Sequence, residues 1–197
     1  MKYLQCLVLI GFLGLSLQLV GFSQGQELHH GIIPEPMSVK QKAGRFLIDA
    51  KTALVASDEL QREAEIIRDL LRPATGFEMV RTTEPTEAPQ IKLELDPNSV
   101  EFGREGYLLQ VAPVGILIRA STKVGIFYGI QTLRQLLPPE VVKTEKTEAK
   151  WQVPFVWVTD KPRFKWRAFM LDEARHFKGE VEVKKILDQM AALKMNT

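Results

Sequence analysis

Ionisable side chains crowd both ends of a short apolar run near the C-terminus. Arg167 stands immediately before Ala168-Phe169-Met170-Leu171, and Asp172, Arg175 and His176 follow it. Spacing alone favours a structural arginine at 167, paired with a carboxylate, because most ion pairs are structural. Asp172 and Arg175 are near enough in sequence to pair with each other. His176 has a side chain suited to proton transfer near neutral pH. A lone histidine is more often a satisfied hydrogen-bonding group, so both readings stay open. Trp166 has an aromatic face that can stack on a ligand, although packing at a domain junction is the simpler expectation.

The rest of the chain offers little competing chemistry. Cys6 is the only cysteine, and the histidines are His29, His30 and His176. No zinc-type ligand spacing can be drawn from these, and no disulfide can form within one chain. Both metal catalysis of that type and thiol catalysis are disfavoured, and no cofactor is implied. Lys+Arg number 26 against 24 Asp+Glu, a net charge of only +2, too small to mark a nucleic-acid surface.

The elements around the apolar run indicate how it is held. Ala168–Leu171 predicts a strand buried on both faces, as in a parallel sheet or barrel. After Gly179, the residues Val183, Ile186, Leu187, Met190 and Leu193 fall at helical spacing. Met195-Asn196-Thr197 then reads as the approach to another strand. Strand, loop, amphipathic helix and strand make the opening β/α unit of a parallel α/β architecture.

Upstream, the pattern is that of one α+β domain. Ile32–Pro36 is an extended lead-in, since each proline disfavours helix in the residue before it. Short β-prone runs follow at Phe46–Ile48 and Ala53–Ala56. Asp58 and Gln61 have capping-box spacing, and Leu60, Ala64, Ile67 and Leu71 form one helical stripe that Pro73 and Gly76 end. Phe77–Val80 and the alternating Ile91–Leu95 predict strands, and Tyr107–Val111 with Ile116–Ala120 a hairpin. Gly125–Leu137 predicts a second helix, stopped by Pro138-Pro139. The order suggests an antiparallel sheet with two helices on one side. Polar residues from Pro138 to Lys150 place the expected domain boundary after Lys150.

The N-terminus has the form of a secretory signal peptide over residues 1–23: Lys2, an apolar run from Cys6 to Leu17, then small residues at Gly21-Phe22-Ser23. Gln5 and Gln18 bracket that run and leave it shorter than the roughly 20 residues a spanning helix needs. Export to the periplasm or exterior is expected, with no stable membrane anchor.

Several phrases together resemble glycoside hydrolase family 20, the β-N-acetylhexosaminidases. They are Ile33-Pro34-Glu35-Pro36, Gly125-Ile126-Phe127-Tyr128-Gly129 with Gln131-Thr132-Leu133, Asp160-Lys161-Pro162-Arg163-Phe164, and Arg167 with Asp172 and Arg175-His176-Phe177. The resemblance implies an α+β domain over residues 32–150, followed by the start of a (β/α)8 TIM barrel over 151–197. It implies that Arg167 contacts hydroxyls of the non-reducing sugar, which a fixed guanidinium fork can do with two hydrogen bonds. Asp172, Arg175 and His176 would then act mainly as supporting residues. The implied ligand is the terminal N-acetylhexosamine of a glycan.

The same resemblance implies retaining, substrate-assisted hydrolysis that needs an adjacent Asp-Glu pair in a His-x-Gly-Gly-Asp-Glu phrase. No such phrase occurs in the sequence, and Asp172-Glu173 sits in the first-strand motif instead. A barrel needs roughly 250 residues, far more than Trp151 to Thr197 supplies. The expectation is therefore an N-terminal part of such an enzyme, inactive alone. A noncatalytic secreted module that binds a carbohydrate or a partner is the alternative, and oligomeric state stays open.

Overall fold

The computed structural model of the chain describes residues 31–197. The expected signal peptide lies outside the described residues. Ten elements follow the lead-in: β1 (Ser38–Leu47), β2 (Ala53–Val55), α1 (Gln61–Thr75), β3 (Arg81–Thr82), β4 (Gln90–Leu95), β5 (Tyr107–Ala112), β6 (Gly115–Ala120), α2 (Lys123–Leu136), β7 (Gln152–Asp160) and α3 (Glu180–Ala192). The strands form one sheet in the order β1-β7-β5-β6-β4-β2-β3.

This sheet is mixed, which corrects the antiparallel expectation. Pairs β1–β7, β7–β5 and β5–β6 are antiparallel, whereas β6–β4, β4–β2 and β2–β3 are parallel. The reason is that the chain returns twice to the end where β2 began, through α1 before β3 and through residues 83–89 before β4, so that both run with β2. The expected boundary after Lys150 also moves. β7 lies between β1 and β5, so the first domain's sheet runs on to Asp160.

Burial follows the pleat. Leu109 faces Ile118 on one side and Val158 on the other, and Val111 faces Ile116 and Val156, making two apolar rows. All six are buried, with Ile91 and Leu93 of β4 beside them. The opposite face is polar: Arg119 binds Glu94 at 2.6 Å across the β4–β6 pair, and Lys92 reaches the same carboxylate.

The two helices lie against each other, and α2 spans β4, β5 and β6. Leu60, Ala64, Ile67 and Leu71 are buried, as their spacing predicts. The expected capping box is absent, because Asp58 turns its carboxylate to Arg81 at 2.9 Å and the helix starts after a 3-10 turn. Pro73 sits inside the last turn of α1, and Gly76 ends the helix with φ of +73°. Phe77–Val80 forms no strand; only Arg81–Thr82 pairs with β2. The lead-in is tied to α2 through Gln135, which accepts from the Ile33 N–H and donates to its carbonyl.

Beyond β7, Ala168–Leu171 is not a buried strand. Phe169 and Met170 are exposed, because no strands flank the run among the described residues. The tail lies beside it. Asn196 donates its N–H to the Arg167 carbonyl at 2.9 Å, and the Phe169 N–H donates to the Thr197 carbonyl at 3.0 Å. α3 forms as its spacing predicts but buries no side chain. None of the described helices is long and apolar enough to cross a membrane.

Candidate functional site

The junction between the sheet domain and the last segment is built from two polar clusters. The first centres on Arg167, whose side chain is 16% exposed. Its Nη2 donates to Glu105 Oε1 at 2.7 Å and to the Tyr128 hydroxyl at 3.1 Å. Nη1 donates to the Phe164 carbonyl at 2.8 Å and reaches Glu105 Oε2 at 3.5 Å, while Nε donates to the Lys194 carbonyl at 2.7 Å. Every N–H of the fork therefore has a partner inside the chain. Hydrogen bonds from Arg167 hold the Glu105 carboxyl below the usual carboxylate range, against the opposing effect of burial. Burial acts to lower the guanidinium's pKa, but Glu105 outweighs it and the net shift is upward.

This arrangement differs from the sugar contact expected of Arg167. Its carboxylate partner comes from the loop before β5, and it leaves no donor for a hydroxyl. Arg167 also stands ahead of the apolar run, at the end where barrel strands begin rather than where barrel sites are built. The structural reading of its spacing describes what is seen.

The second cluster is buried. Lys194, with a side chain 7% exposed, donates from Nζ to the Tyr107 hydroxyl at 2.7 Å and to Asp160 Oδ2 at 2.9 Å. Tyr107 also bonds Asp160 and shares a hydrogen with the Thr132 hydroxyl of α2. Burial pushes the Lys194 ammonium below its ordinary range, with Asp160 opposing, and pushes the Tyr107 phenol up. Between these clusters and the lead-in lies a cavity of about 800 Å³ whose lining includes Met37, Tyr107, Tyr128, Asp160 and Arg163.

At the other end of the apolar run, Asp172, Arg175 and His176 share one loop. Asp172 Oδ1 accepts from the N–H groups of Ala174 and Arg175, and Oδ2 binds Arg175 Nε. Those bonds from Arg175, backbone first, hold the Asp172 carboxyl below its ordinary range. The Arg175 side chain is 81% exposed and is anchored to Asp172 through Nε. His176 is exposed beside it. Glu173 accepts from the Lys178 N–H and closes the loop. Trp166 is 74% exposed, so the packing expected of it at the junction is not made.

Residues 29–161 match glycosyl hydrolase family 20, domain 2, and residues 164–197 match the catalytic domain of the same family. The chain belongs to glycosyl hydrolase family 20. A beta-hexosaminidase of Porphyromonas gingivalis is 35% identical over 167 residues, covering 84% of this chain and 21% of that protein. A beta-N-acetylhexosaminidase of Cellulomonas fimi is 30% identical over 169 residues, 84% of this chain and 33% of its own. Among solved structures, a Streptomyces plicatus beta-hexosaminidase in complex with its product GlcNAc superposes with a TM-score of 0.76 at 38% identity, over 85% of this chain and 33% of that one. The chain thus spans about a fifth to a third of the length of these relatives.

Sequence reasoning missed Glu105, Tyr107 and Lys194. No local signal distinguishes them, since each acquires its role from a partner far away in the chain. Asp160 and Tyr128 lie in phrases that carried the family resemblance, yet their part in the junction shows only in three dimensions.

Proposed function

We propose that this chain is the N-terminal part of an exported β-N-acetylhexosaminidase acting on terminal β-linked N-acetylglucosamine or N-acetylgalactosamine. The observation that carries the reading is that two matches to one family follow each other along the chain, domain 2 over residues 29–161 and the catalytic domain over residues 164–197. The names of the relatives and the GlcNAc held by the Streptomyces plicatus enzyme support the substrate class. Export rests on the charged and apolar pattern of residues 1–23.

In this reading the acetamide oxygen of the sugar attacks the anomeric carbon while a glutamic acid protonates the departing glycosidic oxygen. The C–O bond breaks and an oxazolinium ion forms. The glutamate then takes a proton from water as the water's oxygen opens that ring, restoring the original configuration. A neighbouring aspartate orients the acetamide. That Asp-Glu pair is not in this sequence, and Asp172 and Glu173 each accept from backbone N–H groups of their own loop.

Of the two arginines, Arg175 is the one placed to meet sugar hydroxyls. It follows the apolar run, where barrel loops build sites, and Asp172 holds its Nε while the side chain stays 81% exposed. Asp172 then serves as its support, His176 as a neighbour, and Arg167 as a junction residue.

The test is to read the coding sequence past Thr197 in all three frames. An open frame carrying His-x-Gly-Gly-Asp-Glu supports the proposal. A stop codon with no such phrase downstream would overturn it for this polypeptide.

A further inference from the structure

We propose that Glu105 is a positioning residue for the barrel: from the first domain it holds Arg167 and Asn196 together and so sets where the Asp172–Phe177 loop stands. The catalytic consequence rests on the reading of Arg175 as the sugar-facing arginine. The mechanical part stands on the junction itself.

Three observations carry it. Glu105 is mounted on a rigid support, because the two residues before it are pinned to the start of α2. The Gly103 carbonyl accepts from the Ser121 hydroxyl, and the Arg104 carbonyl accepts from the Thr122 hydroxyl. From that support, Glu105 Oε1 gathers donors from Arg167 at 2.7 Å, Asn196 Nδ2 at 3.4 Å and the Tyr128 hydroxyl at 3.3 Å. Arg167 and Asn196 are in turn bonded backbone to backbone, and Asn196 Oδ1 accepts the Arg167 N–H at 3.1 Å. One carboxylate thus ties two adjacent, mutually hydrogen-bonded segments to the first domain. Asp172 and Arg175 lie a few residues along the first of them, beyond the further bonds that Arg167 makes to Tyr128 and to the carbonyl of Lys194, whose ammonium is held by Tyr107 and Asp160. A shift of the strand start is passed to the loop, and reacting geometries tolerate little displacement.

The test begins with Glu105→Gln in the 197-residue chain, read by hydrogen exchange at the amides of Arg167 and Phe169 and at Arg167 Nε–H. These protons exchange about tenfold faster or more in the variant, while the amides of Leu109 and Ile118 are accelerated much less. Glu94→Gln, the same charge change on the open sheet face, leaves the three junction protons unaltered. Unchanged exchange at the three junction protons overturns the proposal, and so does equal acceleration throughout the sheet. A second arm uses the polypeptide extended through the barrel and a chromogenic N-acetyl-β-glucosaminide. Glu105→Gln lowers kcat/KM about tenfold with Arg175 present, and less than about threefold in an Arg175→Ala background. The same factor in both backgrounds overturns positioning through the loop. An extended polypeptide that hydrolyses nothing with Glu105 intact counts against the functional reading, and the exchange result then decides the clamp.

Discussion

Gly129→Ala sets two known effects against each other, and the geometry of α2 decides between them. In a helix, alanine is favoured over glycine by about 1 kcal/mol. At this position a Cβ would stand 2.5 Å from Ile118 Cγ2 and 3.3 Å from Tyr107 Cδ2. Carbon atoms rest at about 3.5–4.0 Å, so the helix and sheet must separate locally by roughly 1 Å. Ile118 cannot yield easily: it is fully buried, β-branched, and held in the sheet between β4 and β5. Overpacking of this kind costs about 1–3 kcal/mol, which outweighs the helix gain. The expected net loss, from the middle of that range, is about 1 kcal/mol, read as a urea midpoint lowered by roughly 0.5 M at unchanged slope. Because α2 also carries Tyr128 and Thr132 into the junction, the hydrogen bonds of Arg167 and Tyr107 should loosen with it. A midpoint that stays put or rises would refute the claim that α2 rests on the sheet at this separation.

Other consequences are equally open to measurement. Lys194→Met strands the Asp160 carboxylate with only the Tyr107 hydroxyl and the Met37 N–H, and should destabilise the chain by about 2–3 kcal/mol in urea unfolding. Adding Asp160→Asn should recover part of that loss; a further fall of similar size would contradict the account. Glu105 has a lowered folded-state pKa, so its stabilisation is present above the unfolded carboxylate range and fades as pH falls through the folded value. Acid titration of stability should therefore be shallower in Glu105→Gln, and an identical slope would exclude that linkage. Amides within α3, which buries no side chain, should exchange near the rates of unstructured peptide while those of β5 and β6 are far slower; strong protection in α3 would show that it has a partner in the chain alone.

What the sequence discloses depends on how local the cause is. The α1 stripe, the alternation in β4 and the hairpin of β5 and β6 are written in neighbouring residues, and they form as the pattern predicts. β1 is legible only at Phe46–Leu47, because Lys40, Lys42 and Arg45 give it the charged character of an edge strand. β7 is recognisable as a strand but not as a member of the first sheet, since its partners Ser38–Leu47 and Tyr107–Val111 lie far upstream. Arg167 is the sharpest case. Glu105 is 62 residues away, and nothing in Trp166-Arg167-Ala168 indicates that the fork turns back toward it. The Asp172–Arg175 pair, three residues apart, was readable for the opposite reason.

The most direct measurement is release of N-acetylglucosamine from a chromogenic β-N-acetylglucosaminide by two polypeptides: this chain, and the same chain extended through an Asp-Glu pair. The account predicts turnover by the extended polypeptide and none by the 197 residues alone. Turnover by the short chain, or none by an extended and folded one, would contradict it.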